Sequence, residues 1–141
     1  MVGFFPFCVL CLLPGDNSVT DKELTHEIIG SAIEVHRLLG PGLLESTYEE
    51  CLCRELTRRG LPFERQKGIP VVYKGARLEC GYRLDMLVGD RVVLELKSVE
   101  SLAPIHDSVL LTYMRLSGRR IGLLINFNVR VLRDGIRRFV I

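Results

Sequence analysis

Residues 81–98, GYRLDMLVGDRVVLELKS, predict the pair of strands around which the fold is built. A turn at positions 89–90 separates the two strands. In the second of them, VVLELK at 92–97, side chains alternate with the period of two that is typical of a strand. Glu95 and Lys97 are two residues apart, so both point to the same face of the sheet.

Whether Asp85 on the preceding strand joins them depends on the length of the hairpin loop. A two-residue loop would pair Asp85 with Leu94, and the carboxylate would then face away from Glu95. A three-residue loop at 89–91 sets Asp85 opposite Glu95, so we predict an odd-length loop or a bulge. Two carboxylates and an ammonium would then form a site suited to a hard divalent cation. The alternative is an ordinary hairpin whose solvated face carries Glu95 and Lys97.

Composition predicts a single packed domain without a strong charge signature. The chain has 141 residues, of which 48% are hydrophobic, and a net charge of +2. Residues 115–141 contain seven arginines and one aspartate, and this basic part could either bind phosphate or keep a small domain in solution. Five cysteines with no framework spacing favour packed thiols and a reducing, cytoplasmic setting.

Residues 1–19 differ from the rest and are interpreted as a poorly ordered apolar extension, with a domain at 20–141. The apolar run from Phe4 to Leu13 is too short to span a bilayer, and no membrane association is expected. An alternative is a short element that covers an apolar groove. Cys8 and Cys11 form a lone CxxC, which is a weak signal for zinc.

The order of predicted elements favours an α/β or α+β fold, with a mixed central sheet and helices packed on it. A capping box at Thr20 and Glu23 starts the first helix, and Gly40 ends it. Further helices are predicted at 44–59 and 104–116, and strands at 62–66, 69–73, 77–88, 92–97, 121–127, 129–132 and 136–141. The last two strands flank Asp134-Gly135 and are predicted to form a hairpin.

Polar residues on these elements have structural and functional interpretations. Glu45 in the first turn of the second helix is either a simple N-terminal charge or a third acid that leans over the strand pair. His36 lies near a helix end, where packing is the commoner role. Tyr113 is either a core aromatic or a polar group near the site. Accessory roles are also open for Tyr48 and His106.

Several sequence pieces in a fixed order resemble the GxxExxY proteins, a group within the PD-(D/E)XK nuclease superfamily. The resemblance covers roughly residues 20–141. Its pieces are GLLESTY at 42–48 within VHRLLGPGLLESTYEECL, FERQ at 63–66, YKG at 73–75, RLDMLV at 83–88, LELKSVE at 94–100 and GLLINF at 122–127.

The resemblance implies a restriction-endonuclease-like core and magnesium-dependent hydrolysis of phosphodiester bonds in DNA or RNA. Asp85 would match the motif aspartate, and Glu95 and Lys97 would match the (D/E)-x-K. Glu45 would match the acid that the first core helix often contributes. These acids would hold Mg²⁺ or Mn²⁺ through oxygen ligands, and Lys97 would orient water or neutralise the phosphate.

The chain departs from the pattern at Val109, where similar proteins often carry Gln four residues before a Tyr. This departure supports a rival interpretation, a nuclease-fold module that binds nucleic acid or a partner protein without cutting. A second rival is a metal-free interaction protein whose acids pair with Lys97 or Arg83. Exposed sheet edges also leave a homodimer open.

Overall fold

The computed structural model describes residues 19–141. The predicted extension therefore lies outside the described residues except for its last position, and the CxxC of Cys8 and Cys11 lies outside as well. Three helices, five strands and one short 3₁₀ turn form the described part. Their bounds are α1 Asp21–Leu39, α2 Glu45–Arg58, β1 Phe63–Tyr73, β2 Ala76–Val88, β3 Val92–Lys97, α3 Pro104–Ser117, β4 Ile121–Asn126, the 3₁₀ turn Leu132–Gly135 and β5 Ile136–Val140.

Helix α1 begins and ends as its sequence predicts. The Thr20 hydroxyl accepts a hydrogen bond from the Glu23 backbone N–H at 3.1 Å, and the Glu23 carboxylate accepts one from the Thr20 N–H at 2.7 Å. This reciprocal pair satisfies two backbone donors that the helix start would otherwise leave unpaired. Gly40 has a φ of 69°, a backbone conformation that glycine adopts at little cost, and the helix ends there.

The five strands form one mixed sheet in the order β1-β2-β3-β4-β5. Only β3 and β4 are parallel, and helix α3 makes the crossover between them. Helices α1 and α2 pack on one face of the sheet, where Leu52, Leu94 and Phe127 belong to the larger core. Helix α3 covers part of the other face, where Leu110 and Val93 belong to a smaller core. The predicted α+β class, with a mixed sheet flanked by helices, is confirmed.

The hairpin between β2 and β3 has the three-residue loop that the sequence predicts. Val88 pairs with Val92, which leaves residues 89–91 as the loop. Gly89 and Asp90 both have positive φ, 61° and 58°, in the left-handed region that short loops of this kind use. Continuing this register places Asp85 beside Glu95 rather than beside Leu94.

The first two predicted strands are a single strand. Positions 62–66 and 69–73 belong to one element, β1, which pairs along its length with β2. An irregularity between Ile69 and Val71 and a φ of 49° at Gln66 distort the strand but do not interrupt it. The continuous partner β2 keeps the segments together, so the local breaks do not end the strand.

The predicted hairpin at the C-terminal end is wrong. Residues 129–131 are irregular, Leu132–Gly135 forms a 3₁₀ turn, and β5 pairs with β4 instead. Leu132 is 3% exposed and packs into the larger core, which pulls the turn inward. Gly135 lies against the Asn126 carbonyl so closely that a Cβ atom would come within 2.2 Å of it. The glycine thus serves a close backbone approach rather than a two-residue hairpin loop.

No helix within residues 19–141 combines the length and the apolar character needed to cross a bilayer.

Candidate functional site

The central carboxylates come together where β2 and β3 separate. Backbone pairing between these strands stops at Met86 and Leu94. Beyond this point the Asp85 side chain replaces the backbone partner, because its Oδ2 accepts a hydrogen bond from the Leu96 backbone N–H at 2.8 Å. Asp85 therefore occupies the space between the diverging strands, beside the side chains that leave the end of β3.

Glu95 is buried, and its charge is incompletely compensated. It is 4% exposed, although carboxylates are rarely buried without a partner. Its Oε2 lies 3.7 Å from the Nζ of Lys97, a long ion pair. Its Oε1 is buried and has no hydrogen-bond partner within the described part of the chain. A buried carboxylate oxygen without a hydrogen-bond partner costs free energy of folding, and a bound cation would offset that cost.

The crowding of these acids raises their pKa values. Burial, and after it the neighbouring charge of Asp85, raise the pKa of Glu95 to about 8 against the opposing effect of Lys97. Burial also raises the pKa of Asp85, while the hydrogen bond from the Leu96 N–H opposes that change. The pocket therefore holds more acid than its single ammonium compensates, which favours binding of a cation.

Glu45 reaches the same group of charges from the other layer. It is the first residue of α2, and its side chain is exposed overall. Partial desolvation nevertheless raises its pKa, Lys97 opposes this, and the charge of Asp85 adds to it. The structure thus brings Glu45, Asp85, Glu95 and Lys97 together in one electrostatic group.

Tyr48 holds the start of α2 in place. Its hydroxyl donates to the Gly40 carbonyl at 2.5 Å and accepts from the Leu43 N–H at 3.2 Å. Its ring is fully buried and stacks on Phe127 with the centroids 4.5 Å apart. The Ser98 hydroxyl donates to the Leu43 carbonyl at 2.7 Å, which ties the same loop to the end of β3. Tyr48 is therefore a structural support one turn after Glu45.

Both accessory histidines make structural contacts. His36 is 7% exposed, and its Nε2 lies 2.7 Å from the Val129 carbonyl. His106 accepts a hydrogen bond from the Ala103 N–H at 2.9 Å through Nδ1 and so caps the start of α3. Neither contact involves the acidic group.

Tyr113 lies near the acids. Burial raises its pKa, and the charges of Glu95 and Asp85 raise it further. Its hydroxyl is therefore protonated at neutral pH and could donate a hydrogen bond into the pocket. Val109, on the preceding turn of α3, is half-buried and offers no polar group.

Glu49 is a second acid on α2 and, unlike Glu45, it is buried. It is 8% exposed and accepts hydrogen bonds from Arg65 at 2.9 Å and from the Gln66 amide at 2.9 Å. Its charge raises the pKa values of Asp85 and Glu45, and a hydrogen bond between Gln66 and Asp85 lowers that of Asp85. The spacing of four residues from Glu45, one helical turn, could have placed it on the same side.

Asn126 fixes the chain that follows Lys97. It is 1% exposed, and its Oδ1 accepts from the Val99 N–H at 3.0 Å while its Nδ2 donates to the Val99 carbonyl at 2.9 Å. Oδ1 also accepts from the Asn128 N–H at 3.2 Å. This amide at the end of β4 was not singled out from the sequence. A polar residue closing the apolar run at 121–127 could have indicated it.

The described residues do not include a preformed metal cage. Among residues 19–141, no group of three or more His, Cys, Asp or Glu side chains is arranged closely enough to hold a metal ion as it stands. The oxygen-only donor set and the orphaned Oε1 of Glu95 nevertheless fit a hard cation. Completing such a site would need a third ligand, and Glu45 is the exposed acid whose charge acts on Glu95.

Comparisons with known proteins identify the superfamily of the chain. A sequence model of the PD-(D/E)XK nuclease superfamily matches residues 22–139, almost the whole described part of the chain. No curated protein and no solved structure matches significantly. The chain belongs to the PD-(D/E)XK nuclease superfamily.

Proposed function

We propose that this protein is a nuclease that hydrolyses phosphodiester bonds in DNA or RNA with Mg²⁺ or Mn²⁺ as cofactor. The observation that carries the proposal is the half-buried Asp85 beside the buried Glu95, two carboxylates whose charges act on each other and on Lys97. A buried acidic pair next to a lysine is unfavourable unless a cation or a charged substrate completes it. The finer assignment to the GxxExxY proteins rests on the ordered sequence pieces between residues 42 and 127 and stays a prediction.

In this proposal the acids hold the cofactor. Asp85 and Glu95 would supply oxygen ligands, with Glu45 as a third ligand, direct or through water. When bound, the cation would polarise the scissile phosphate and make a bound water more acidic. Asp85 keeps one oxygen in its bond with Leu96, so the backbone fixes the direction of the other.

Lys97 would act on the phosphate. Its side chain is 24% exposed, so the ammonium can reach a substrate while its stem stays packed. Placed beside Glu95, it would stabilise the negative charge that develops on the phosphate oxygens or orient the attacking water. Removing the ammonium should therefore affect the chemical step more than the binding of the cation.

A cleavage assay with Mg²⁺ or Mn²⁺ tests the proposal. We expect Lys97→Ala to lower the cleavage rate by about a hundredfold or more, in line with the loss of one charged transition-state contact. Lys22→Ala is the matched control, because it removes a lysine from the first turn of α1. The preceding residue, Asp21, pairs with Arg91, at the end of β3 opposite to Lys97. Equal cleavage by the wild type and Lys97→Ala would refute the proposed mechanism.

One observation favours a second candidate, a nuclease-fold module that binds nucleic acid or a partner protein without cutting. Val109 occupies a position where a glutamine often positions the substrate, and its half-buried side chain cannot do so. Nucleic-acid binding by the wild type without cleavage under any divalent cation would support this candidate.

The surroundings proposed for the protein follow from weaker features. The described cysteines Cys51, Cys53 and Cys80 are all free thiols, which fits a cytoplasmic setting. Burial raises the pKa of Cys53 to about 11, so this thiol is unreactive at neutral pH. Sedimentation would measure whether two copies of the chain associate through an edge strand.

A further inference from the structure

The outer parts of β1 and β2 form a two-stranded ribbon, residues 71–83, which we call the arm. From Val72 to Arg83 every residue is exposed, whereas β2 becomes buried from Leu84 onward apart from the half-buried Asp85. A two-stranded ribbon alone is marginally stable in water. An exposed ribbon of this length therefore has no evident role in the core and is available to a ligand.

Large apolar side chains lie along the arm. Val72 is 63% exposed, Tyr73 60%, Leu78 42% and Tyr82 47%. Tyr73 pairs with Ala76 across the strands, and Val71 pairs with Leu78. Cross-strand partners lie on the same face, and so do residues two apart on one strand, so Tyr73 and Leu78 share a face. Val72 lies on the opposite face, so both faces of the arm carry exposed apolar side chains, and such a concentration on one element marks a binding surface more often than isolated apolar residues do.

The charge of the arm is positive. It carries Lys74, Arg77 and Arg83 against the single acid Glu79. Lys74 lies over the Tyr73 ring with its Nζ 5.5 Å from the centroid, and Arg77 pairs with Glu79 on the surface at 3.0 Å. Arg83 makes no ion pair with any residue from 19 to 141. Exposed rings interleaved with cations suit a polyanion that also offers flat apolar surfaces.

The arm leads into the acidic pocket. Tyr82, at its base, contacts Tyr113 with the ring centroids 6.2 Å apart, and Tyr113 lies close enough to Glu95 and Asp85 for their charges to raise its pKa. A chain that stacks on Tyr82 would therefore pass directly to the carboxylates.

We infer that the arm binds unpaired nucleotides of a single-stranded DNA or RNA substrate, with bases stacked on Tyr82 and Tyr73 and phosphates near Arg83 and Lys74. This inference rests on the proposed function and names the substrate class of the same site. Unpaired bases expose the ring faces that tyrosines bind. A duplex buries those faces within its stack, so exposed tyrosine rings favour an unpaired strand.

The test measures binding without cleavage. Fluorescence anisotropy in EDTA would compare labelled single-stranded DNA, single-stranded RNA and duplex DNA, each of about 16 nucleotides, the upper end of a typical single-strand binding site. The variants are Tyr82→Ala, Tyr82→Phe, Tyr73→Ala and Arg83→Ala. Val131→Ala, an equally exposed apolar side chain outside the arm, is the control. Thermal unfolding checks that each variant is folded.

We expect single strands to bind more tightly than duplex. Tyr82→Ala should weaken that binding about tenfold, whereas Tyr82→Phe keeps the ring and should stay within about twofold. Arg83→Ala should reduce the slope of log affinity against log salt by about 0.7. If Tyr82→Ala is destabilised, Tyr73→Ala at the exposed tip decides instead, with the same tenfold loss expected.

Three results would overturn the inference: duplex bound at least as tightly as single strands, undiminished binding by folded Tyr82→Ala and Tyr73→Ala, or no binding by the wild type. Because EDTA prevents metal-dependent cleavage, these results are separate from the Lys97→Ala assay. Single-strand binding without any cleavage would support the arm while refuting the nuclease proposal.

Discussion

The carboxylate of Asp85 accepts the backbone N–H of Leu96 at 2.8 Å, at the point where the ladder between β2 and β3 ends. The Asp85 side chain thus replaces the missing strand partner as the acceptor for this N–H. This arrangement explains how two strands can diverge without leaving a buried donor unpaired.

The two functions of Asp85 can be separated by substitution. Asp85→Asn keeps an oxygen that can accept from Leu96 and removes the charge that crowds Glu95, so we expect its free energy of unfolding to equal or exceed that of the wild type. Asp85→Ala removes the acceptor and should destabilise by about 1–3 kcal/mol, the cost of an unpaired buried N–H. Urea unfolding in EDTA measures both.

Both Asp85 variants should bind a cation more weakly than the wild type, although only Asp85→Ala should be destabilised. Calorimetry with Mn²⁺ should show binding by the wild type and at least a tenfold loss in both Asp85→Asn and Asp85→Ala, because neither retains the charged ligand. Undiminished Mn²⁺ binding by Asp85→Asn would contradict a ligand role for Asp85 and favour a purely structural one.

The buried acid Glu95 should make stability depend on pH. Its pKa rises from 4.5 to about 8 on folding, so between these values the folded protein holds a proton that the unfolded chain releases. The contribution of Glu95 to stability is therefore largest below pH 4.5 and falls as the pH rises toward 8. At about 1.4 kcal/mol per pKa unit, we expect a loss of a few kcal/mol across this window, which Glu95→Gln should remove.

Denaturant midpoints at pH 5.5 and 8.5 compare the wild type with Glu95→Gln in EDTA. In parallel samples without EDTA, added Mn²⁺ should restore stability to the wild type at the higher pH and have little effect on Glu95→Gln, because the cation binds the ionised carboxylate. Parallel pH curves for the two proteins would show that Glu95 is not buried with a raised pKa.

The strand pair and its loop follow from the sequence because their signals are local. Alternation in residues 92–97 defines the inward faces, and a three-residue loop is the one that brings Asp85 to Glu95. The capping box at Thr20 and Glu23 is likewise a contact between near neighbours. Such features need no knowledge of the remaining fold.

The parts that sequence reasoning missed depend on distant contacts. Asp134-Gly135 has a typical hairpin signal, but Gly135 is needed against the Asn126 carbonyl, on a strand that the local pattern does not involve. The buried state of Glu49 depends on Arg65 and Gln66 of β1, and nothing in the helix sequence predicts those partners. Local propensity gave way to tertiary packing in both places.

Asn126 should be required for the order of the chain after Lys97. Asn126→Ala leaves the Val99 and Asn128 N–H groups without their acceptor and the Val99 carbonyl with only the long bond from Asn128, so it should destabilise by about 2–4 kcal/mol. Asn128→Ala is the control, since its amide makes only a long bond of 3.4 Å to the Val99 carbonyl, and it should cost less than about 1 kcal/mol. Similar unfolding midpoints for the two variants would contradict this role for Asn126.

The hydroxyl of Tyr48 should influence the site through the loop that precedes Glu45. Tyr48→Phe retains the stack on Phe127 but leaves the Leu43 N–H without its acceptor, so we expect a loss of about 1–2 kcal/mol in unfolding free energy. Because Glu45 begins its helix next to this loop, Mn²⁺ affinity should fall as well, by about threefold to tenfold. Thr57→Val is the control, since it removes a hydroxyl from the same helix that bonds to the Cys53 carbonyl at 2.8 Å. If both variants lose stability and both keep their Mn²⁺ affinity, the loop does not position Glu45.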